Sequence, residues 1–285
     1  MRGRLRVVEA PRSTRRRWVV LGLSVALVTG TAGGCGDPSL RAAVAPTPTT
    51  QVVPATPDEP ISVVVAGDSV LDNLAVGLVP ALDLGGEAVV SHTWLLGLSR
   101  DAASKHEMRR TVAEAHPDVV VVLLGVWELD PLEGELGTPG WEVRYRRDVL
   151  DPFVDMVTVD GAQLLWLGMP ATSDPVVTRR LDVLNRAYAD LDHDDPRVTF
   201  LDLGEVLESP EGEYRDHLSS PDGTRARVRQ TDGLHFCPAG TERAAQLVLD
   251  ALTDHWSVAV ADGWEHLGWT DTQGRDSAQD LCPDD

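Results

Sequence analysis

Short apolar runs alternate with amphipathic segments from about residue 61 to residue 256. Residues 118–125 form a continuous apolar run closed by glycine, which is typical of a strand buried on both faces of a parallel sheet. The alternation predicts a three-layer α/β/α domain with a mostly parallel sheet of about five strands. Strands are predicted near residues 61–66, 88–97, 118–125, 163–168 and 197–202, and helices from residue 70 through Leu82 and near 100–115, 142–159, 176–191 and 238–256.

The chain outside this domain has a different composition. Residues 36–60 are rich in proline and threonine, a composition that cannot bury a core and predicts an extended linker. The domain is predicted to span 61–256, and a polar tail spans 257–285, with Trp264 and Trp269 as expected docking points.

The first 35 residues are typical of an export signal. Seven arginines precede an uncharged apolar segment at residues 18–28, and small residues then lead to Cys35. The stretch from Ala32 to Cys35 resembles a bacterial lipobox, although Ala32 stands where leucine is usual. We therefore expect lipidation at Cys35 and an exported, extracytoplasmic, membrane-anchored protein, with an uncleaved anchor as the alternative.

The net charge limits the kinds of molecule that the chain is expected to bind. The whole chain carries −20, and because residues 1–34 hold seven arginines and one glutamate, the remainder is more acidic still. So acidic a body excludes nucleic acid as the expected partner. We expect membrane contact through the N-terminal anchor alone and a monomeric domain.

One stretch combines a strand, a turn and a helix around a serine. The apolar run from Ile61 stops at Gly67, Asp68 and Ser69, and the helical pattern begins directly afterwards. Ser69 would then lie at the carboxyl end of a parallel strand and at a helix N-terminus, which suits a nucleophile. Asp and Ser are also good helix N-caps, so simple capping is the alternative interpretation.

A hydroxyl nucleophile needs a base and a group that orients the base. Among eight histidines, His235 is distinctive because it follows Asp232 and Gly233 in a polar loop just before the last predicted helix. An acid and a base three residues apart on one loop can point together at the sheet edge. The alternative is an ordinary turn at Asp232 with His235 packed at a helix start.

The number of cysteines also indicates the kind of cellular compartment in which the protein resides. If Cys35 carries lipid, Cys237 and Cys282 remain as an even pair in an oxidising environment. We predict a disulfide that ties the tail to the segment after His235, and two unrelated thiols are the alternative.

In these motifs the chain resembles the SGNH or GDSL hydrolases. Gly67, Asp68 and Ser69 match the first block of that family, and the stretch from Asp232 to His235 matches the last. The resemblance implies Ser69 as nucleophile, His235 as general base and Asp232 as its orienting partner. Residues 96–99 resemble the second block, which implies that the Gly97 N–H and the Ser69 N–H form an oxyanion hole.

The third block departs from the family pattern of Gly-x-Asn-Asp. Here residues 125–128 place Trp127 at the asparagine position and Glu128 at the aspartate position. The indole N–H of Trp127 is a possible third oxyanion donor, although the ring is much larger than an amide. Asp68 and Glu128 are expected to line the substrate.

These residues predict an exported serine esterase or acyl hydrolase that removes or transfers O-acyl groups, on envelope carbohydrate or on small esters. The mechanism needs no metal and no cofactor. The alternative is a catalytically silent domain of the same fold that binds envelope glycan or a protein partner, with Trp127 blocking the oxyanion hole. Retention of Ser69, Asp232 and His235 together favours the enzyme, because a binding module has no reason to keep all three.

Overall fold

A sheet of five parallel strands forms the centre of the fold. A computed structural model describes residues 55–99, 102–132, 134–220, 223–266 and 281–283. The sheet order is second, first, third, fourth, fifth, which agrees with the predicted parallel sheet. The strands are β1 (Ile61–Gly67), β2 (Ala88–Trp94), β3 (Val119–Leu123), β4 (Gln163–Gly168) and β5 (Val198–Asp202).

Helices cover both faces of the sheet. Phe153 and Tyr188 pack against Trp166 of β4 from two different helices, with ring centroids 5.6 and 4.3 Å away. The helices are α1 (Ser69–Gly85), α2 (Ala102–Ala115), α3 (Trp141–Tyr145), α4 (Asp151–Val157), α5 (Pro175–Asp194), α6 (Gly204–Leu207) and α7 (Pro238–Trp256). One layer contains α1 and α7, which contact each other, and the other contains α2, α4 and α5. The three-layer α/β/α architecture is therefore confirmed.

The strand register aligns the carboxyl ends of the central strands. Gly67, the last residue of β1, pairs with Trp94 of β2 and with Leu123 of β3, and Leu123 pairs with Leu167 of β4. All five residues of β3 are buried, as expected for a strand covered on both faces. Because the strands end together, the turns that follow them meet at one edge of the sheet.

The helix predicted over 142–159 contains an irregular turn. Residues Arg146–Leu150, between α3 and α4, form a wide π-helical turn, and the helical path ends at Val157. A π turn adds a residue to one helical turn while leaving the apolar residues on nearly the same face. Hydrophobic periodicity therefore predicted the path but not the wide turn.

An antiparallel hairpin and a short helix were not predicted. The hairpin pairs β6 (His217–Ser219) with β7 (Arg225–Arg227), and α6 precedes it. Three-residue strands and a four-residue helix are too short to produce a readable hydrophobic period.

The packed domain extends beyond the predicted limits of 61 and 256. Ala55 is buried, and its N–H donates to the Trp256 carbonyl at 3.0 Å, so the predicted linker already contacts the domain at Ala55. In the tail, Val258 and Trp264 are buried. The export signal, Cys35, the first part of the linker and Trp269 lie outside the described residues. Within the described ranges, no helix combines the length and hydrophobicity needed to cross a membrane.

The structure contains the predicted disulfide between Cys237 and Cys282, whose Cα atoms are 5.8 Å apart. Beside it, the Thr231 N–H donates to the Leu281 carbonyl at 2.9 Å. The tail is therefore held against the loop that contains Asp232 and His235.

Removal of this disulfide is expected to destabilise the fold. The bond closes a loop with a sequence separation of 45 residues, for which the chain-entropy model gives about 4 kcal/mol of stabilisation. Cys282→Ala should lower the free energy of unfolding in urea by up to that amount. A reductant should bring the wild-type chain to the same value without changing the variant, and an equal effect on both proteins would contradict the assignment.

Candidate active site

Ser69 is the first residue of α1, directly after β1 and the Asp68 N-cap. The Asp68 side chain accepts from the Val70 N–H at 3.0 Å and so closes the turn. The Ser69 N–H makes no hydrogen bond within the described residues. A hydroxyl and an unpaired N–H at a helix N-terminus therefore lie together at the carboxyl edge of the sheet.

The structure brings His235 and Asp232 to this serine. Ser69 Oγ lies 2.8 Å from His235 Nε2, and His235 Nδ1 lies 2.6 Å from Asp232 Oδ2. With the proton on Nδ1, the ring donates to Asp232 and accepts from the Ser69 hydroxyl. This is the hydrogen-bond chain that activates a serine nucleophile.

The Asp232 carboxylate also orders its own loop. Its Oδ1 accepts from the Leu234 N–H at 2.9 Å and from the His235 N–H at 3.1 Å. Burial alone would raise the pKa of Asp232, but hydrogen bonds from these two N–H groups and from the His235 ring outweigh burial and lower it. Asp232 is therefore ionised at neutral pH and can stabilise a protonated His235.

Gly233 permits this loop to turn. Its φ is +72°, and a Cβ at this position would lie 1.9 Å from Ser173 Oγ. The Gly233 carbonyl accepts from the Ser173 N–H at 3.0 Å, which fastens the loop to the segment after β4. Both the backbone conformation and the close approach require glycine.

A buried arginine binds the loop that contains Asp232 and His235. Arg229 has no exposed surface, and its guanidinium donates to the carbonyls of Leu234 at 3.2 Å and Ala171 at 3.1 Å. Burial lowers the pKa of Arg229 to about 10, although nearby Tyr214 and carboxylates oppose this. The cation therefore remains charged at neutral pH and joins the histidine loop to the segment after β4.

Asn73 joins the histidine segment to the serine helix, one turn after Ser69. Its side-chain oxygen accepts from the Phe236 N–H at 3.2 Å, and its backbone carbonyl accepts from Thr241 Oγ1 at 3.2 Å. Neither Arg229 nor Asn73 was identified from the sequence. The spacing of four from Ser69 to Asn73, on one helix face, is the available signal for Asn73.

Asp68 does not line an open cleft, contrary to the expectation. Its side chain is buried, with Oδ1 bonded to Val70 and Oδ2 accepting from the Gly125 N–H at 2.9 Å. Burial raises the pKa of Asp68, and the hydrogen bonds from these two N–H groups oppose the rise. The carboxyl group links the turn after β1 to the turn after β3.

Glu128 is also buried, so it too differs from the predicted substrate-lining residue. It has no exposed surface, and its carboxylate accepts from Leu98 N–H, Ser99 N–H, Ser99 Oγ and Tyr145 Oη. The prediction was wrong about direction because the side chain turns inward, toward donors on the loop after β2.

The two other expected oxyanion donors lie on neighbouring segments. Gly97 follows β2, has a φ of +134°, and its N–H makes no hydrogen bond within the described residues. Trp127 lies in a 3₁₀ turn, Val126–Glu128, directly after β3, and 44% of its surface is exposed. Both residues lie on segments that leave the carboxyl edge, while the role of each as a donor stays a prediction.

A protein-family model matches residues 62–251 of the chain, and its description is "Protein of unknown function (DUF459)". No curated protein is significantly similar to the sequence.

Several solved structures are similar to about two thirds of this chain. The acetyl xylan esterase AlAXEase is 16% identical, with a TM-score of 0.42, over 67% of this chain and 100% of that one. The psychrotrophic esterase EstA from Pseudoalteromonas sp. is 12% identical, with a TM-score of 0.46, over 68% and 97%. The α/β hydrolase LAE5, from a Lake Arreo metagenome, is 16% identical, with a TM-score of 0.46, over 67% and 94%.

Proposed function

Since the chain belongs to the DUF459 family, an SGNH/GDSL-like family, we propose that it is an exported serine ester hydrolase that acts on O-acyl groups. The hydrogen-bond chain from Ser69 through His235 to Asp232 carries this proposal, with distances of 2.8 and 2.6 Å. A hydroxyl with a base and an oriented carboxylate is the arrangement that nucleophilic acyl transfer requires.

In the first half of the reaction, His235 Nε2 takes the proton of Ser69 Oγ as the oxygen attacks the ester carbonyl carbon. The Oγ–C bond forms and the carbonyl oxygen becomes an oxyanion. The C–O bond to the leaving alcohol then breaks, and the alcohol takes the proton from His235. Asp232, ionised at neutral pH, stabilises the imidazolium between these two steps.

In the second half, an acceptor enters where the alcohol left. His235 removes a proton from the acceptor oxygen, which attacks the acyl carbon and releases Ser69 Oγ, and Oγ regains the proton from His235. Water as acceptor gives the free acid, and a sugar hydroxyl gives a transferred ester. We propose hydrolysis as the basal reaction, with transfer to a carbohydrate hydroxyl as its variant.

The developing oxyanion needs preorganised donors. The N–H groups of Ser69 and Gly97 are proposed for this role because neither makes a hydrogen bond within the described residues. Trp127, half exposed in the turn after β3, is the proposed third donor through its indole N–H.

The Trp127 donor can be tested with a variant that keeps an aromatic ring. Trp127→Phe removes the indole N–H, and loss of one oxyanion donor should lower kcat by about 10²- to 10³-fold. The measurement is steady-state hydrolysis of p-nitrophenyl acetate. Trp256→Phe is the control, because Trp256 is half-buried at the end of α7, beside Ala55 and away from the carboxyl edge of the sheet. Equal kcat values for the two variants would remove Trp127 from the oxyanion hole.

The proposed substrate class is an acyl ester on envelope carbohydrate, or a small ester. Trp94 ends β2 and Trp127 follows β3, and these half-exposed aromatic faces at the carboxyl edge suit stacking against a sugar ring. The Arg-rich, apolar N-terminus and Cys35 support the proposed lipoprotein anchor. The disulfide also suits an oxidising, extracytoplasmic compartment.

The proposed function is tested by comparing a small ester with an acylated sugar. The purified chain should release p-nitrophenol from p-nitrophenyl acetate and acetate from acetylated oligosaccharides. Adding unacetylated oligosaccharide to p-nitrophenyl acetate separates the two acceptors, because transfer gives an acetylated sugar where hydrolysis gives acetate. A folded chain that produces none of these products would contradict the ester hydrolase and favour a binding function.

A further inference from the structure

The Glu128 carboxylate lies between two segments that leave neighbouring strands. Glu128 closes the 3₁₀ turn after β3, whereas Leu98 and Ser99 belong to the loop after β2. Glu128 Oε2 accepts from the Leu98 N–H at 2.5 Å and from the Ser99 N–H at 3.3 Å. One carboxylate oxygen therefore holds two successive backbone N–H groups of the loop that begins with Gly97.

The second carboxylate oxygen is bonded to hydroxyl groups. Glu128 Oε1 accepts from Ser99 Oγ at 2.8 Å and from Tyr145 Oη at 2.7 Å. Burial raises the pKa of Tyr145 well above its ordinary value, with Tyr188 and Glu128 adding to the effect, so the phenol stays protonated and donates. Among the described residues, no basic side chain forms an ion pair with Glu128.

A fully buried carboxylate without a basic partner is costly unless its oxygens are satisfied by donors. Here the four hydrogen bonds from Leu98, Ser99 and Tyr145 provide that compensation. Such an arrangement is sensitive to geometry, because removal of the acceptor leaves the buried N–H groups unpaired. The loop is therefore held in the one conformation that keeps all of these bonds.

Gly97 fits closely against this carboxylate. A Cβ on Gly97 would lie 2.7 Å from Glu128 Oε2, and its φ of +134° favours glycine. The next two N–H groups point to Glu128, while the Gly97 N–H makes no hydrogen bond within the described residues. The bonds to Glu128 thus fix the peptide planes that follow Gly97 and leave its own N–H available.

We propose that Glu128 is a positioning residue that sets the Gly97 N–H as an oxyanion donor, acting through the Leu98 and Ser99 N–H groups. This inference rests on the proposed ester hydrolysis. It assigns to Glu128 an effect on the transition state without contact with the substrate.

Two variants of Glu128 test this role. Glu128→Ala removes the acceptor, and kcat for p-nitrophenyl acetate should fall by about 10²- to 10³-fold with KM unchanged. Glu128→Asp keeps the carboxyl group but withdraws it by one C–C bond, about 1.5 Å. A displacement of that size should lower kcat by about 10²-fold.

A transition-state analogue separates positioning from a general loss of structure. Phenylboronic acid forms a tetrahedral adduct with a serine oxygen, so its affinity should fall in proportion to kcat/KM across the variants. Glu128→Gln should restore activity, because its oxygen can accept from the two N–H groups while its NH₂ donates to the hydroxyl oxygens.

The matched control is Asp118→Ala. Asp118 Oδ2 also accepts a backbone N–H, that of Ser62 at 2.8 Å, but at the opposite end of the sheet. This variant should leave kcat and boronate affinity unchanged.

Three outcomes are distinguishable. If Glu128→Asp folds and its kcat and boronate affinity fall in proportion, the positioning role is supported. This result is sufficient even if Glu128→Ala does not fold. Unchanged values in either folded variant, beside an inactive Ser69→Ala, would overturn the inference and leave the esterase intact. Wild-type chain without ester turnover would instead contradict the proposed function and the inference together.

Discussion

Replacing Ser69 by alanine is expected to lower kcat for ester hydrolysis by about 10⁶-fold, as loss of a serine nucleophile does in hydrolases of this mechanism. The variant removes Oγ, the atom that lies 2.8 Å from His235 Nε2, and within the described residues no other hydroxyl is hydrogen-bonded to this histidine. The fold should be retained, because Asp68 caps α1 through its own side chain. Initial rates with p-nitrophenyl acetate measure the effect.

Ser91→Ala is the matched control for this substitution. Ser91 is half buried in β2, several residues before the carboxyl edge of the sheet, and should tolerate the same loss of a hydroxyl group. Ser91→Ala should therefore keep wild-type kcat. Ser69→Ala with wild-type turnover, in a preparation free of other esterases, would exclude Ser69 as the nucleophile.

Replacing His235 by glutamine is expected to reduce kcat by a similar factor, about 10⁶-fold. Glutamine cannot take the proton from Ser69 at neutral pH, so the hydroxyl would remain a poor nucleophile. Because the two residues act as one unit, the double variant with Ser69→Ala should lose no more than either single variant. A loss in the double variant equal to the product of the two single losses would contradict this shared role.

His92→Gln provides a control with a similar local environment. His92 Nε2 lies 3.0 Å from Asp72 Oδ1, so this residue also forms a histidine–carboxylate pair, on β2. Among the described residues, no hydroxyl group forms a hydrogen bond with His92. His92→Gln should therefore leave kcat unchanged. A comparable loss in both histidine variants would point to a structural effect.

The stability of the fold at acid pH should depend in part on Asp232. Hydrogen bonds lower the pKa of Asp232 below its ordinary 3.8, so this carboxylate stays ionised through mildly acidic pH. The stability that it contributes is present above that value and is lost as the pH falls through the lowered one. Urea unfolding measured at falling pH should show this loss of stability in the wild-type chain and not in Asp232→Asn. In Asp232→Asn, kcat should fall by about 10⁴-fold.

The sequence was sufficient to predict the sheet and the segments that carry the relay. β3 is five buried residues in a row, and the apolar runs before Ser69 and after Ala162 are similarly continuous. Parallel strands that end in register bring their following turns together, which is why Ser69 could be placed at the carboxyl edge. Asp232 and His235 could be assigned to the same edge from their position just before the last predicted helix and from the family resemblance.

The directions of the side chains in these turns were not predictable from the pattern. Asp68 and Glu128 occupy positions next to strand ends, where a carboxylate could face substrate or turn inward. Both turn inward because backbone N–H groups of neighbouring turns, those of Gly125 and Leu98, lie beside them in three dimensions and donate to them. Those donors are 57 and 30 residues away in sequence, beyond the reach of local patterns.

The buried position of Arg229 also depends on partners that are distant in sequence. An arginine is usually exposed, yet this one is fully buried against the Asp232 loop. Its partners are the carbonyls of Leu234 and Ala171, and the second is 58 residues away. Only the tertiary structure reveals that such carbonyls meet at one place.

Covalent capture of the nucleophile tests the central claim most directly. The purified chain should be incubated with a p-nitrophenyl alkylphosphonate, digested, and mapped by mass spectrometry beside Ser69→Ala. We expect a single phosphonyl adduct per chain, on the peptide that contains Ser69, with loss of esterase activity in the same proportion and no adduct in the variant. Persistent ester hydrolysis with Ser69 unmodified, or stoichiometric modification of another residue, would contradict the account.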